Sequence, residues 1–83
     1  MRGFITNVAI TPARLAQLLD VDLRTVQRLV KKALLPKPER RDPVAWTDEK
    51  NLAAQLMELK AKDLKRGTRM AKIAAVQMLD GVY

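Results

Sequence analysis

Two short amphipathic helix patterns, separated by Asp20-Val21-Asp22, constrain this 83-residue chain more than any other feature. Thr11-Pro12 starts the first, because a threonine hydroxyl can cap a free amide and proline is preset for the first helical position. A helix is expected over about Pro12 to Leu19, with Leu15, Leu18 and Leu19 on one face and Ala16 small enough to admit a crossing helix. Asp20 can adopt the left-handed conformation usually given to glycine, Val21 can plug the corner, and Asp22 can cap the next helix. That second helix is expected from Leu23 to about Ala33. At roughly 100° per residue, Val26, Leu29, Val30 and Ala33 share one arc while Arg24, Arg28 and Lys31 lie almost opposite. One side belongs to a core and the other is presented outward, which is the outline of a helix-turn-helix.

Charge follows the same division. The chain carries a net +7, but residues 1–22 balance to zero, residues 23–46 carry +5, residues 47–59 carry −2, residues 60–72 carry +5 and the tail −1. Two basic blocks imply a polyanionic partner, most simply nucleic acid, which the helix-turn-helix outline narrows to double-stranded DNA, although a basic surface that merely aids solubility is common in small proteins. Cysteine, histidine and serine are all absent. No disulfide framework or thiolate metal site is therefore expected, and the commonest general base, metal ligand and hydroxyl nucleophile are missing. No cofactor, metal or catalytic residue is expected, and the chain reads as a non-enzyme. No apolar run approaches the ~18 residues of a membrane span and no signal peptide pattern opens the chain, so a cytoplasmic, nucleoid-associated protein without membrane contact is expected.

Downstream, Leu34-Leu35-Pro36-Lys37-Pro38 ends the second helix, since residues before proline are pushed out of the helical region. Residues 39–46 suit a short hairpin or loop. Thr47, Asp48 and Glu49 read as a cap with acids in the first turn, opening a third helix over about 48 to 65. Its stripe is Leu52, Leu56 and Leu59, widened by Ala53, Met57 and Leu64. Gly67 then interrupts a pattern that resumes with Met70, Ile73, Ala74 and Val76 to Leu79, and two helices meeting at 66–68 are preferred to one long one. Val8-Ala9-Ile10 reads either as a strand or as the approach to a helix. With Phe4, Trp46 and Tyr83 the only aromatics, the core must be aliphatic.

The stretch from Thr11 to Trp46, extended to Leu56, resembles AlpA-type excisionase-like regulators and, more distantly, MerR-type winged helices. The matching residues are Leu15-Ala16, Val21, Thr25-Val26, Arg28-Leu29-Val30-Lys31-Lys32, Pro36-Lys37-Pro38 and Trp46 ahead of an acidic helix start. The resemblance implies a small winged helix-turn-helix protein of bacterial, plasmid or phage origin, acting in transcription control or recombination. Two features depart from it. Residues 36–46 lack the glycine usual in the family's wing, and residues 60–83 continue beyond the family's usual end. Small terminase subunits of tailed phages look similar in outline, pairing such a domain with a helical oligomerisation segment.

The expected fold is therefore mainly α: a winged helix-turn-helix over residues 1–59 with a short β wing, then a helical extension over 60–83. Helix 23–33 would enter the major groove with Arg24, Gln27, Arg28 and Lys31 nearest the base edges, where arginine can grip guanine and glutamine can match adenine. Thr25 and Lys32 flank it and suit phosphates. Lys37, Arg40 and Arg41 would place cations on the wing, over a backbone or a minor groove. Trp46 reads as a core anchor rather than a base-stacking group. Lys60, Lys62, Lys65, Arg66, Arg69 and Lys72 either extend the DNA footprint, surround an oligomer contact or bind nothing. Arg2-Gly3 is read as a terminal segment that could also reach a groove. Residues 70–79 either complete the core or join subunits into a homodimer or higher oligomer, with self-association favoured for so short a chain.

Overall fold

The computed structural model describes residues 9–64 and 67–81. The described residues are mainly helical, with four α-helices and a small two-stranded antiparallel sheet among them. The first helix, α1, spans Pro12–Leu19 as its sequence signals require. Thr11 caps it by accepting from the Arg14 amide at 3.1 Å, and proline occupies the first turn. Asp20 ends it in the left-handed region, at φ 56° and ψ 47°. The Val21 amide donates to the Ala16 carbonyl and the Asp20 amide to that of Gln17, at 3.0 and 3.2 Å, the paired bonds of a Schellman motif. Val21 packs against the core, so the corner is plugged from inside.

Helix α2 spans Leu23–Lys31, with Asp22 at its N-cap in an extended conformation but without a side-chain cap bond. The helix stops two residues short of the expected Ala33. Ala33 sits at φ 62°, and its amide reaches the Val30 carbonyl at 3.0 Å while the Leu34 amide reaches that of Leu29 at 2.9 Å. A second Schellman motif thus forms without glycine, and it removes Ala33 from the core arc that helical periodicity assigns it. Leu34 packs back against the core instead, the apolar contact that accompanies this motif.

Residues Arg40–Arg41 (β1) and Val44–Ala45 (β2) form a hairpin, pairing Arg40 with Ala45 and Arg41 with Val44. Its glycine-free turn is Asp42-Pro43, joined by a cis peptide bond. Immediately after it, Trp46 and Ile10 exchange both backbone hydrogen bonds at 2.7 and 3.0 Å. Ile10 is therefore a bridge residue, while Val8 lies outside the described residues.

Helix α3 spans Glu49–Glu58, opened by Asp48, whose carboxylate accepts from the Asn51 amide at 3.1 Å. It ends well before the expected residue 65. Asp63 supplies the reason: its carboxylate accepts from the Lys60 amide at 2.9 Å and its own amide donates to the Lys60 carbonyl at 2.9 Å, starting a separate 3₁₀ turn over Ala61–Asp63. Gly67, at φ 83°, then precedes α4 at Arg69–Leu79, so two helices are separated here as the glycine suggests.

One buried cluster runs through all four helices. Leu15 and Leu19 of α1, Val26 and Leu29 of α2, Leu52 and Leu56 of α3, and Ala71, Ala74, Ala75 and Met78 of α4 all join it, around a fully buried Trp46. Helix α4 packs on α3 and on α1, and α1 on α2. Met57, counted with the apolar stripe by its spacing, is instead 49 % exposed. Among the described residues no helix is long and apolar enough to cross a membrane.

Candidate nucleic-acid interface

Helix α2 has three distinct sides. Val26 and Leu29 are buried, while Arg24, Gln27, Arg28 and Lys31 are exposed, and Lys32 follows at the helix end, also exposed. Thr25 is half-buried on the flank that Lys32 shares. No charged or polar residue is buried among the described residues, so every described cation lies at or near the surface. The local cause is the sequence period: apolar residues three apart turn one stripe inward and carry the intervening cations outward.

The hairpin stands beside one flank of α2. An open groove of about 570 Å³ separates them, walled by Leu23, Gln27 and Val30 of α2, by Pro12 and Ala13 at the start of α1, and by Pro38, Pro43 and Val44. Three interactions set this spacing. The Ile10–Trp46 bridge ties the strand end to the residue before α1's cap. The Trp46 indole N–H donates to the Pro36 carbonyl at 2.7 Å, pinning the Pro36-Lys37-Pro38 connector to the core. Glu39 Oε1 accepts from the Thr47 amide at 2.7 Å, the Thr47 hydroxyl at 3.3 Å and the Asp48 amide at 3.4 Å, closing the base of the hairpin onto the start of α3. The Thr47 backbone N–H is the main cause that holds the Glu39 carboxyl below its ordinary value of 4.5, with the Glu39 and Asp48 amides and the Thr47 hydroxyl adding to it against a smaller rise from desolvation.

Arg40 and Arg41 are exposed on β1 and Lys37 is exposed on the connector. Arg41 pairs across the sheet with exposed Val44, and Arg40 pairs with buried Ala45. Of the expected wing cations, Arg40 and Arg41 thus stand on the hairpin that borders α2, while Lys37 stands on the connector that leads into it.

The opposite flank of α2 meets the 3₁₀ turn. The Arg28 guanidinium donates to the Asp63 carbonyl at 3.4 Å, and Arg28, Lys32 and Lys62 line one small cleft floored by Leu29 and Leu34. A member of the second basic block is therefore brought next to the first. That proximity was not readable from spacing, because it depends on α3 ending early enough for the turn at residue 61 to fold back.

Arg69 and Lys72 are exposed on α4, and Lys60 is exposed ahead of the 3₁₀ turn. Of the segment 70–79, Ala71, Ala74, Ala75 and Met78 are consumed by the chain's own core, leaving Ile73, Val76 and Leu79 as exposed apolar residues. Arg2, Gly3, Lys65 and Arg66 lie outside the described residues. Sequence reasoning passed over Glu39, whose signal was only its place in a charged loop, and the exposed apolar pair Leu23 and Val44. No known protein family, curated protein or solved structure matches this chain.

Proposed function

We propose that this protein is a sequence-specific DNA-binding protein that lays α2 in the major groove, with the β1–β2 hairpin acting as a wing beside it. The single observation that carries the reading is the outward face of α2. Arg24, Gln27 and Lys31 stand exposed there, over a core-facing stripe that fixes the helix, and a hairpin bearing Arg40 and Arg41 adjoins the same element. Arginine matches the O6 and N7 acceptors of guanine and glutamine the N6 and N7 of adenine, each good pair discriminating by about 1–3 kcal/mol. Leu23, 41 % exposed in the first turn beside Gln27, adds apolar surface of the kind that meets a thymine methyl. The two left-handed turns without glycine, at Asp20 after α1 and at Ala33 after α2, fix where the chain leaves each helix.

The chemistry of this surface is that of recognition, and the reading assigns it no catalytic step. The biological role that fits is a small transcriptional regulator or an excisionase-like recombination factor. A DNA-recognition and assembly subunit of the small-terminase kind is the alternative. Selection of bound duplexes from a random pool tests the reading, with enrichment of one short site whose binding weakens steeply with salt as the expected result. Failure to enrich any site overturns it. Sedimentation separates the two roles, since a large ring-forming oligomer belongs to the assembly subunit.

A further inference from the structure

We propose that Arg28, Lys32 and Lys62 form a notch that grips one phosphate of the DNA backbone, which makes Arg28 a positioning residue for α2 rather than a reader of bases. The proposal rests on the DNA-binding reading above and assigns one of its contacts.

Three observations carry it. First, the Arg28 guanidinium is turned off the outward face of α2 and donates to the Asp63 carbonyl at 3.4 Å, toward the 3₁₀ turn. An arginine held by one of its N–H groups keeps the others for a second acceptor, and its planar fork suits phosphate oxygens. Second, Lys62 and Lys32 line the same cleft of about 150 Å³, so three cations from two separate elements converge on one small concavity with an apolar floor. Third, the acid in that cleft is already engaged. The Asp63 carboxylate accepts from the Lys60 amide at 2.9 Å within its own turn, which holds it in place, and three cations against this one carboxylate leave the cleft with a formal charge of +2.

The position suits a phosphate rather than a base. The notch lies on the flank of α2 away from the hairpin, at the edge of the presented face, where a helix seated in the major groove meets the sugar-phosphate rail. Phosphate contacts of this kind set orientation and register without carrying sequence information. The division of labour that follows gives Arg24, Gln27 and Lys31 to the groove floor, the hairpin to one rail and the notch to the other.

The test is the salt dependence of binding to two duplexes, one of random sequence and one selected site, measured by fluorescence anisotropy on the full chain and on K62Q, K32Q, R28Q and K72Q. Lys72 is exposed on α4, outside the notch, and serves as the control for losing one charge. Losing the phosphate contact altogether lowers the slope of log affinity against log salt by about 0.9, which makes the affinity loss from 50 to 200 mM salt roughly 3-fold smaller, and because the notch holds one phosphate this is the ceiling for any notch variant. The expected result is that K62Q, K32Q and R28Q each show a smaller slope, by no more than this ceiling, and weaken both duplexes by the same factor, while K72Q keeps the original slope. An unchanged slope for K62Q and K32Q overturns the notch, as does an equal drop for K72Q, which would mark a diffuse charge effect. A change of base preference in R28Q returns Arg28 to the readers and overturns its positioning role. Should the unaltered protein bind neither duplex, the DNA-binding reading itself falls, an outcome distinct from loss of the notch alone.

Discussion

Trp46 joins three parts of the chain through one residue. Its ring is fully buried, its backbone pairs with Ile10, and its indole N–H reaches the Pro36 carbonyl at 2.7 Å. Replacing Trp46 by phenylalanine keeps an aromatic ring but leaves that carbonyl without its donor, so a loss of about 1–3 kcal/mol is expected from urea unfolding, with alanine costing about 3–5 kcal/mol. Glu39 works at the surface by a different route. Its carboxylate is favoured in the charged form by the Thr47 amide above all, so its folded pKa lies below the unfolded one. The stabilisation is therefore fully present above the ordinary value of 4.5 and fades as pH falls through the lowered folded value. Unfolding measured between pH 7 and pH 3 should show a shallower acid decline for E39Q than for the unaltered protein. The two profiles should stay roughly parallel near neutrality, where the variant is weaker because a neutral amide accepts less strongly from Thr47 and Asp48.

Helix ends decide where this fold turns, and they were legible in unequal measure. The bounds of α1, its Thr11 cap and the left-handed Asp20 follow from residue types that act within one turn of themselves, and local signals of this kind can be read directly. The hairpin was open between strand and loop in the sequence, because its turn lacks glycine and its pairing is only two residues long per strand. Ala33 was misplaced on the core arc because alanine ordinarily extends a helix, and nothing local announces that it will take φ 62°. Its left-handed state is selected by Leu34 folding onto the core and by two backbone bonds to Leu29 and Val30. Asp63 likewise stops a leucine stripe that periodicity alone would carry on to Leu64. Ala33→Gly is expected to stabilise the protein by about 0.5–1 kcal/mol in chemical denaturation, since glycine pays no Cβ penalty in the left-handed region and the site lies outside the helix. A destabilisation of similar size would mean that the helix end is held in some other conformation.

Across the whole molecule, one core serves two ends with different tasks. Ala71, Ala74 and Ala75 are all fully buried, which lets α4 approach α3 and α1 closely and commits one face of the 70–79 segment to the chain's own core. Leucine at Ala75 should therefore overpack the contact and cost about 1–3 kcal/mol, whereas lysine at exposed Val76 should change stability by no more than about 0.5 kcal/mol in the same unfolding assay. With α1 packed against it and Val26 and Leu29 sunk in the common core, α2 is left with its cationic side outward, flanked by the hairpin on one side and by the Ala61–Asp63 turn on the other. Insertion of this face into the major groove is the central claim, and guanine N7 lies on the floor of that groove. Protection of guanine N7 from methylation, on a duplex selected by the protein, is the most direct measurement. Bound protein should shield a short run of guanines within one turn of the duplex, and Arg24→Ala should restore reactivity at one of them while leaving the fold's circular dichroism unchanged. Tight binding that leaves every guanine N7 reactive, or protection unaffected by changes at Arg24, Gln27 and Lys31, would contradict the account.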